Sequence, residues 1–211
     1  MRRVVELAAA AAPRACVTAA LLLTCIGGDA LGRSPWVVER PARRAAVDSA
    51  THGAVALLAW TVAAASGDGW RNAGRLAAQA VSCCLLAVLI DLDHFWMAGS
   101  LSLKSALSLP TRPPLHATTA IPAVVLLLHL CIRLTNAASL HSLPLLVAVA
   151  WTTHHVRDAT RRGFWLWPLG STPPLPYWLY VATEICIPYG ILVVRTTLRC
   201  EVESANRASI V

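Results

Sequence analysis

LAAQAVSCCLLAVLIDLDHFW, residues 76–96, runs fifteen positions without a charge and then meets two aspartates and a histidine within four. A run this apolar reads as a helix in hydrocarbon, where the backbone must satisfy its own hydrogen bonds. A carboxylate at the end of such a helix is costly unless it is paired, solvated or coordinated. The stretch therefore sets two expectations at once: a membrane helix bundle, and a polar site at one end of it.

Composition agrees with the first expectation. Of 211 residues, 56% are hydrophobic and only 14% charged, against about 25% charged in soluble domains. The mean hydropathy is +0.58. Six apolar segments can be marked, at residues 15–31, 49–66, 76–90, 118–134, 143–156 and 177–198. The reading is an all-α, polytopic membrane helix bundle of about six transmembrane helices, forming a single integral membrane domain over residues 1–211. Several segments fall short of the ~20 residues that span a bilayer comfortably. Their polar ends are therefore expected in the interface or in a wet cavity.

The first segment is preceded by Arg2 and Arg3 and contains VTAALLLTCI, residues 17–26, which resembles the short apolar core of a signal peptide. A retained helix is preferred, because the connector after it leads straight into further membrane segments. The connectors hold most of the arginines, which suits lipid headgroups. The net charge is +7, but no basic stripe with interleaved aromatics occurs, which excludes a nucleic-acid partner. Trp165 and Trp167 in the 157–176 connector fit a headgroup-level anchor, and the 95–117 connector suits the interface. Basic residues divide nine and nine between the two sides, so orientation is not readable from them. The seven cysteines form no C-x-x-C pair and read as small packing residues. The turn SGDGWRNAGR, residues 66–75, lacks the Lys-Ser/Thr of a phosphate loop. Neither G-x-S-x-G nor H-E-x-x-H is present. Glu184, inside the sixth segment, reads as a packing hydrogen bonder in preference to part of a proton path.

The polar residues follow the chain's alternation of direction. Asp48 and His52, four apart, open the second segment and share a helical face. Asp91, Asp93 and His94 close the third, with Asp91 and His94 on one face and Asp93 able to join where the helix unwinds. His116 precedes the fourth, His154 and Asp158 close the fifth, and Asp29 closes the first. Simple parity places all of these on one membrane face. His129 and His141 fall toward the other and read as ordinary packing or interface histidines. Imidazole suits zinc or manganese, and carboxylates suit harder ions. His52, Asp91, Asp93, His94, His116, His154 and Asp158 are accordingly the candidate ligands of a divalent metal, zinc or manganese. Such an ion lowers the pKa of bound water to ~7 and supplies a nucleophile. Asp93 is the candidate for orienting or deprotonating that water. Arg112 is the candidate clamp for an anionic group of a lipid or phosphate-containing substrate. Structural salt bridges, such as Arg157 with Asp158, are the bland counterpart. The alternative is then a non-enzymatic membrane protein whose polar cluster serves helix packing or partner binding. Transport of a metal or proton is a third reading, and it calls for ionisable groups deeper in the membrane.

Two long stretches carry a resemblance. IDLDHFWMAGSLSLKSALSLPTRPPLHATTAIP, residues 90–122, and WTTHHVRDATRRGFWLWPLGSTPPLPYWLYV, residues 151–181, resemble the transmembrane protein 267 family of small multipass animal proteins. DSATHGAVALLAW, residues 48–60, and Asp29 fit it as well. That resemblance implies a polytopic membrane protein and no particular activity. More distantly, the chain is similar to bacterial inner-membrane proteins classed as metal-dependent hydrolases. Their pattern is an early His, then D-x-D-H, H-R-G-x-T-H and H-x-x-x-D. Here His52 is the early His, Asp91, Asp93 and His94 are the D-x-D-H, and His154 and Asp158 are the last pair. Arg112 and His116 match the middle motif, while Thr111 stands where its first histidine would be and Pro113 replaces its glycine. The likeness implies a hydrolase-derived metal site with one ligand fewer.

Overall fold

A computed structural model describes residues 11–64 and 72–208. Arg2, Arg3, most of the 66–75 turn and the side chain of Cys200 lie outside the described residues. Six long helices account for most of the chain: α1 (Ala11–Gly32), α2 (Pro41–Ala64), α3 (Ala73–Leu89), α4 (Ala120–Leu134), α5 (Leu143–Arg162) and α6 (Tyr177–Ala208). They coincide with the six apolar segments, and the protein is an all-α membrane protein with several apolar helices. By length and hydropathy, Ala11–Gly32, Ala73–Ala98 and Tyr177–Thr197 are long and apolar enough to cross a membrane, and Ala120–Leu134 is apolar but shorter. Helices α2 and α5 miss that standard because one half of each is polar. Those halves contain PARRAAVDSATH and HHVRDATRR.

Helix α2 is central, packing against α1, α3, α5 and α6. Small residues make this possible, since they let backbones approach where no water is present to drive association. Its buried face includes Gly53, Ala56, Ala59 and Ala63, with Trp60 fully enclosed. A methyl group on Gly53 would sit 2.8 Å from Cys84 Sγ, and one on Gly28 of α1 only 2.5 Å from Thr51 Cγ2. The outward faces carry large aliphatic side chains, including Leu23 and Ile26 on α1 and Leu126, Leu127 and Leu130 on α4. An apolar exterior over a small-residue interior is the arrangement a lipid solvent selects.

The helix through residues 73–98 breaks at Ile90–Asp91. There Asp91, Asp93 and His94 donate their N–H groups to carbonyls three residues back, at 3.2–3.3 Å. A short helix, Leu92–Ala98, follows and ends at Gly99 in the left-handed region, φ 58°. The connector after α5 folds back on the start of α4. Thr118 N donates to Trp165 O at 2.8 Å, and Thr119 Oγ1 donates to Trp167 O at 2.8 Å. Trp165 is thus half-buried against the protein, while Trp167 is exposed in the manner of an anchor.

Candidate metal centre

The four predicted clusters meet at one end of the bundle. Helix α5 brings His154 and Asp158, one turn apart, and α2 brings His52. The break after α3 brings Asp91, Asp93 and His94, and the 3-10 turn Pro114–His116 brings His116. The last of these is not held by a helix, so its placement depends on the peptide before it. Leu115 N donates to Asp93 Oδ2 at 2.8 Å, and Leu115 O accepts from Trp151 Nε1 at 2.6 Å and His155 Nε2 at 2.9 Å. The carbonyl fixes His155 as the Nε2–H tautomer, whose Nδ1 accepts from Thr118 Oγ1 at 3.1 Å. His155, adjacent to His154, is therefore a pin for the loop.

Asp91 Oδ1, His116 Nε2 and His154 Nε2 form one close triad, and Asp158 Oδ2 approaches the two imidazoles beside it. His116 Nε2 and His154 Nε2 are 3.3 Å apart. Asp91 Oδ1 lies 3.4 Å from the first and 3.5 Å from the second. Asp158 Oδ2 lies 3.5 Å from each. An ion with tetrahedral angles and bonds of about 2.1 Å has ligand–ligand edges of about 3.4 Å. Among the described residues, Asp91, His116 and His154 are one set close enough to hold an ion, and His52, His154 and Asp158 are another.

The remaining predicted residues stand one layer out. His154 Nδ1 is 2.9 Å from the carbonyl of Ala87, which leaves its Nε2 lone pair directed at the centre. His116 Nδ1 is 3.3 Å from Asp93 Oδ2. Both arrangements are those that orient metal-binding imidazoles. His52 stacks on His154, ring centroids 3.9 Å apart, and its Nε2 is 3.5 Å from Asp158 Oδ1. His94 Nδ1 is 3.2 Å from Asp93 Oδ1 and 3.8 Å from Asp91 Oδ1. Arg112 donates to the carbonyls of Arg162 and Gly163, the latter at 3.1 Å. His129 and His141 are exposed, away from the cluster.

His116 reports the local field. Burial disfavours its charge, yet the carboxylates of Asp158, Asp91 and Asp93 outweigh that and push its pKa up to about 11. Three carboxylates around one imidazole make this end of the bundle a place that demands positive charge. A cavity of about 630 Å³ opens onto it, with Asp91, His94, His116 and Asp158 at its floor.

Two placements differ from the sequence reading. Arg157 does not pair with Asp158. It pairs with Asp29 on α1 at 3.1 Å and Asp48 on α2 at 2.5 Å, because neighbours on a helix point about 100° apart. Asp158 instead has Arg161 at 3.6 Å. Glu184 is fully buried, but neither of its carboxylate oxygens has a hydrogen-bond partner among the described residues, so it is not the packing hydrogen bonder expected. Sequence reading also missed the pins on Leu115, which come from residues far along the chain and leave no local signal.

Fold and site together define a multi-pass, all-α membrane protein with a His/Asp cluster at one end of its bundle. The chain belongs to the transmembrane protein 267 family. It is 39% identical over 167 residues to transmembrane protein 267 of Xenopus laevis, covering 79% of this chain and 75% of that one. It is 37% identical over 186 residues to that of Mus musculus, covering 85% and 84%. It is 38% identical over 168 residues to that of Danio rerio, covering 78% and 73%. No protein-family model and no solved structure matches the chain.

Proposed function

We propose that the cluster is a divalent-metal centre, zinc or manganese, held by His116, His154, Asp91 and Asp158. We propose further that it serves hydrolysis of a lipid or phosphate-containing substrate entering through the adjoining cavity. The observation that carries this is the set of five separations of 3.3–3.5 Å among those four donors. When bound, such an ion polarises a substrate oxygen and lowers the pKa of water toward ~7. The chain's own part is positioning. Asp93 and the Ala87 carbonyl aim the two imidazoles, and His52 and Arg161 hold the far oxygen of Asp158. The cavity wall combines Leu103, Leu107 and Phe164 with the exposed rim arginines Arg44 and Arg162. That pairing suits an acyl chain beside an anionic headgroup. Arg112, occupied by two carbonyls, braces this wall and directs its remaining N–H groups to the anion.

The packing alternative is weakened by the Arg157 network. Arg157 with Asp29 and Asp48 already ties α1, α2 and α5 together, which leaves three carboxylates and four histidines beyond what packing needs. Metal content of the detergent-purified protein tests the proposal. Stoichiometric zinc or manganese, lost in His154→Gln, is expected, together with chelator-sensitive phosphate release from phosphatidic acid in mixed micelles. A folded wild type that takes up neither ion overturns it.

A further inference from the structure

Resting on the reading of the cluster as a metal centre, we infer that it holds a second divalent ion. Asp93 Oδ1 and His94 Nδ1 bind this ion, and the carboxylate of Asp91 is shared between the two positions. The four donors of the first position leave a pair unexplained. Asp93 Oδ1 and His94 Nδ1 are 3.2 Å apart, at ion-pair distance, and among the described residues neither buried atom makes a hydrogen bond to any other group. Asp93 is only 4% exposed. An unsatisfied carboxylate oxygen this deep is costly, the more so because its sister oxygen is fully employed by Leu115 N and His116. Two lone-pair donors facing each other at this separation flank an ion at bonds of about 2.1 Å and roughly a right angle.

Asp91 stands between the two positions. Its Oδ1 is 3.4 Å from His116 Nε2 and 3.5 Å from His154 Nε2 on one side, and 3.8 Å from His94 Nδ1 on the other. A carboxylate so placed bridges two metals, as carboxylates do where two divalent ions share a site. His116 likewise faces both ways, with Nε2 toward the first position and Nδ1 toward Asp93. The two positions then differ in kind. The first has four candidate protein donors, of which Asp91, His116 and Asp158 also line the cavity. The second has Asp93, His94 and the shared Asp91, and His94 and Asp91 line the cavity. Its remaining coordination positions face incoming substrate. The position with fewer protein donors is the one that would admit a phosphoryl or carbonyl oxygen without displacing a protein ligand. The second ion thus marks where the substrate binds.

The test is metal stoichiometry in the full chain, loaded with excess Mn2+ and desalted, read by elemental analysis and by electron paramagnetic resonance. About two equivalents are expected, with the spectrum of an exchange-coupled pair. His94→Ala should hold one equivalent and show isolated Mn2+. Asp93→Asn, which keeps an acceptor for Leu115 N, should do the same and guards against a folding defect in the first variant. One equivalent in wild type overturns the second ion and leaves the first intact. Two equivalents that survive both variants overturn its assignment to Asp93 and His94. No bound metal in folded wild type overturns this inference and the reading beneath it together.

Discussion

Arg157 Nη2 lies 3.1 Å from Asp29 Oδ1, 128 residues earlier in the chain, and its Nη1 reaches Asp48 at 2.5 Å. One guanidinium, 4% exposed, thereby fastens α1 and α2 to α5 directly behind the cluster. Removing one member of a buried ion pair strands the other, at a cost of about 3–5 kcal/mol. Arg157→Met should therefore destabilise the bundle by roughly 3 kcal/mol or more. Asp48 retains Arg161 at 2.5 Å, so the larger penalty falls on Asp29. Thermal unfolding in detergent, followed by tryptophan fluorescence, checks this. Asp29→Asn should recover much of the loss when combined with Arg157→Met, because it removes the stranded charge.

The histidines should sort by layer when metal affinity is measured. His154 is fully buried with Nε2 at the centre, and His154→Gln should abolish tight uptake by the first position. His52 touches only the far oxygen of Asp158 and the face of His154. Loss of such an outer partner weakens affinity by about 10–100-fold, and His52→Gln should fall in that range. His129→Gln and His141→Gln should leave uptake unchanged. Equal loss from all four variants would mean that the histidines act through stability alone.

Helix periodicity explains what could be read from sequence. His154 and Asp158, four apart, do share a face, and Asp91 and His94, three apart, do approach. The meeting of these pairs follows from helices that alternate in direction. Adjacency in sequence does not make Asp158 the partner of Arg157, because the same 100° rotation that unites 154 with 158 separates 157 from 158. What periodicity could not supply is His116. Its position depends on Leu115, held by Asp93, Trp151 and His155 from two other parts of the chain. Helices α2 and α5 also run past the apolar segments 49–66 and 143–156, because their polar halves belong to the same helices.

Gly163 closes α5 with φ 68°, and a Cβ there would lie 1.9 Å from the carbonyl oxygen of Thr172. The same residue's carbonyl accepts from Arg112, and the next N–H donates to Thr172 Oγ1 at 2.9 Å. Gly163→Ala should push the 163–176 connector off the start of α4 and release Arg112 from the cavity wall. The backbone conflict places the cost above the ~1 kcal/mol of a Gly-to-Ala change at an incompatible φ. Limited proteolysis should show new cleavage in that connector, with the packing of α2 against α1 and α3 unaffected.

Metal uptake should expel a proton. In the metal-free protein burial opposes charge on His116, but Asp158, Asp91 and Asp93 prevail and hold its pKa up to about 11, so the imidazole is charged at neutral pH. A metal ligand must be deprotonated, which makes binding and proton release one event. With the ligand's pKa above the working pH, each unit of pH rise removes a tenfold competition, so affinity should tighten by about tenfold between pH 6 and 7 and again to pH 8. Calorimetric titration at pH 7 in buffers of different ionisation enthalpy should yield about one proton per first ion bound, and His116→Gln should remove that release. Tight binding with no proton released would mean that His116 is neutral beside its three carboxylates, and the electrostatic case for a cation at this end of the bundle would fail with it.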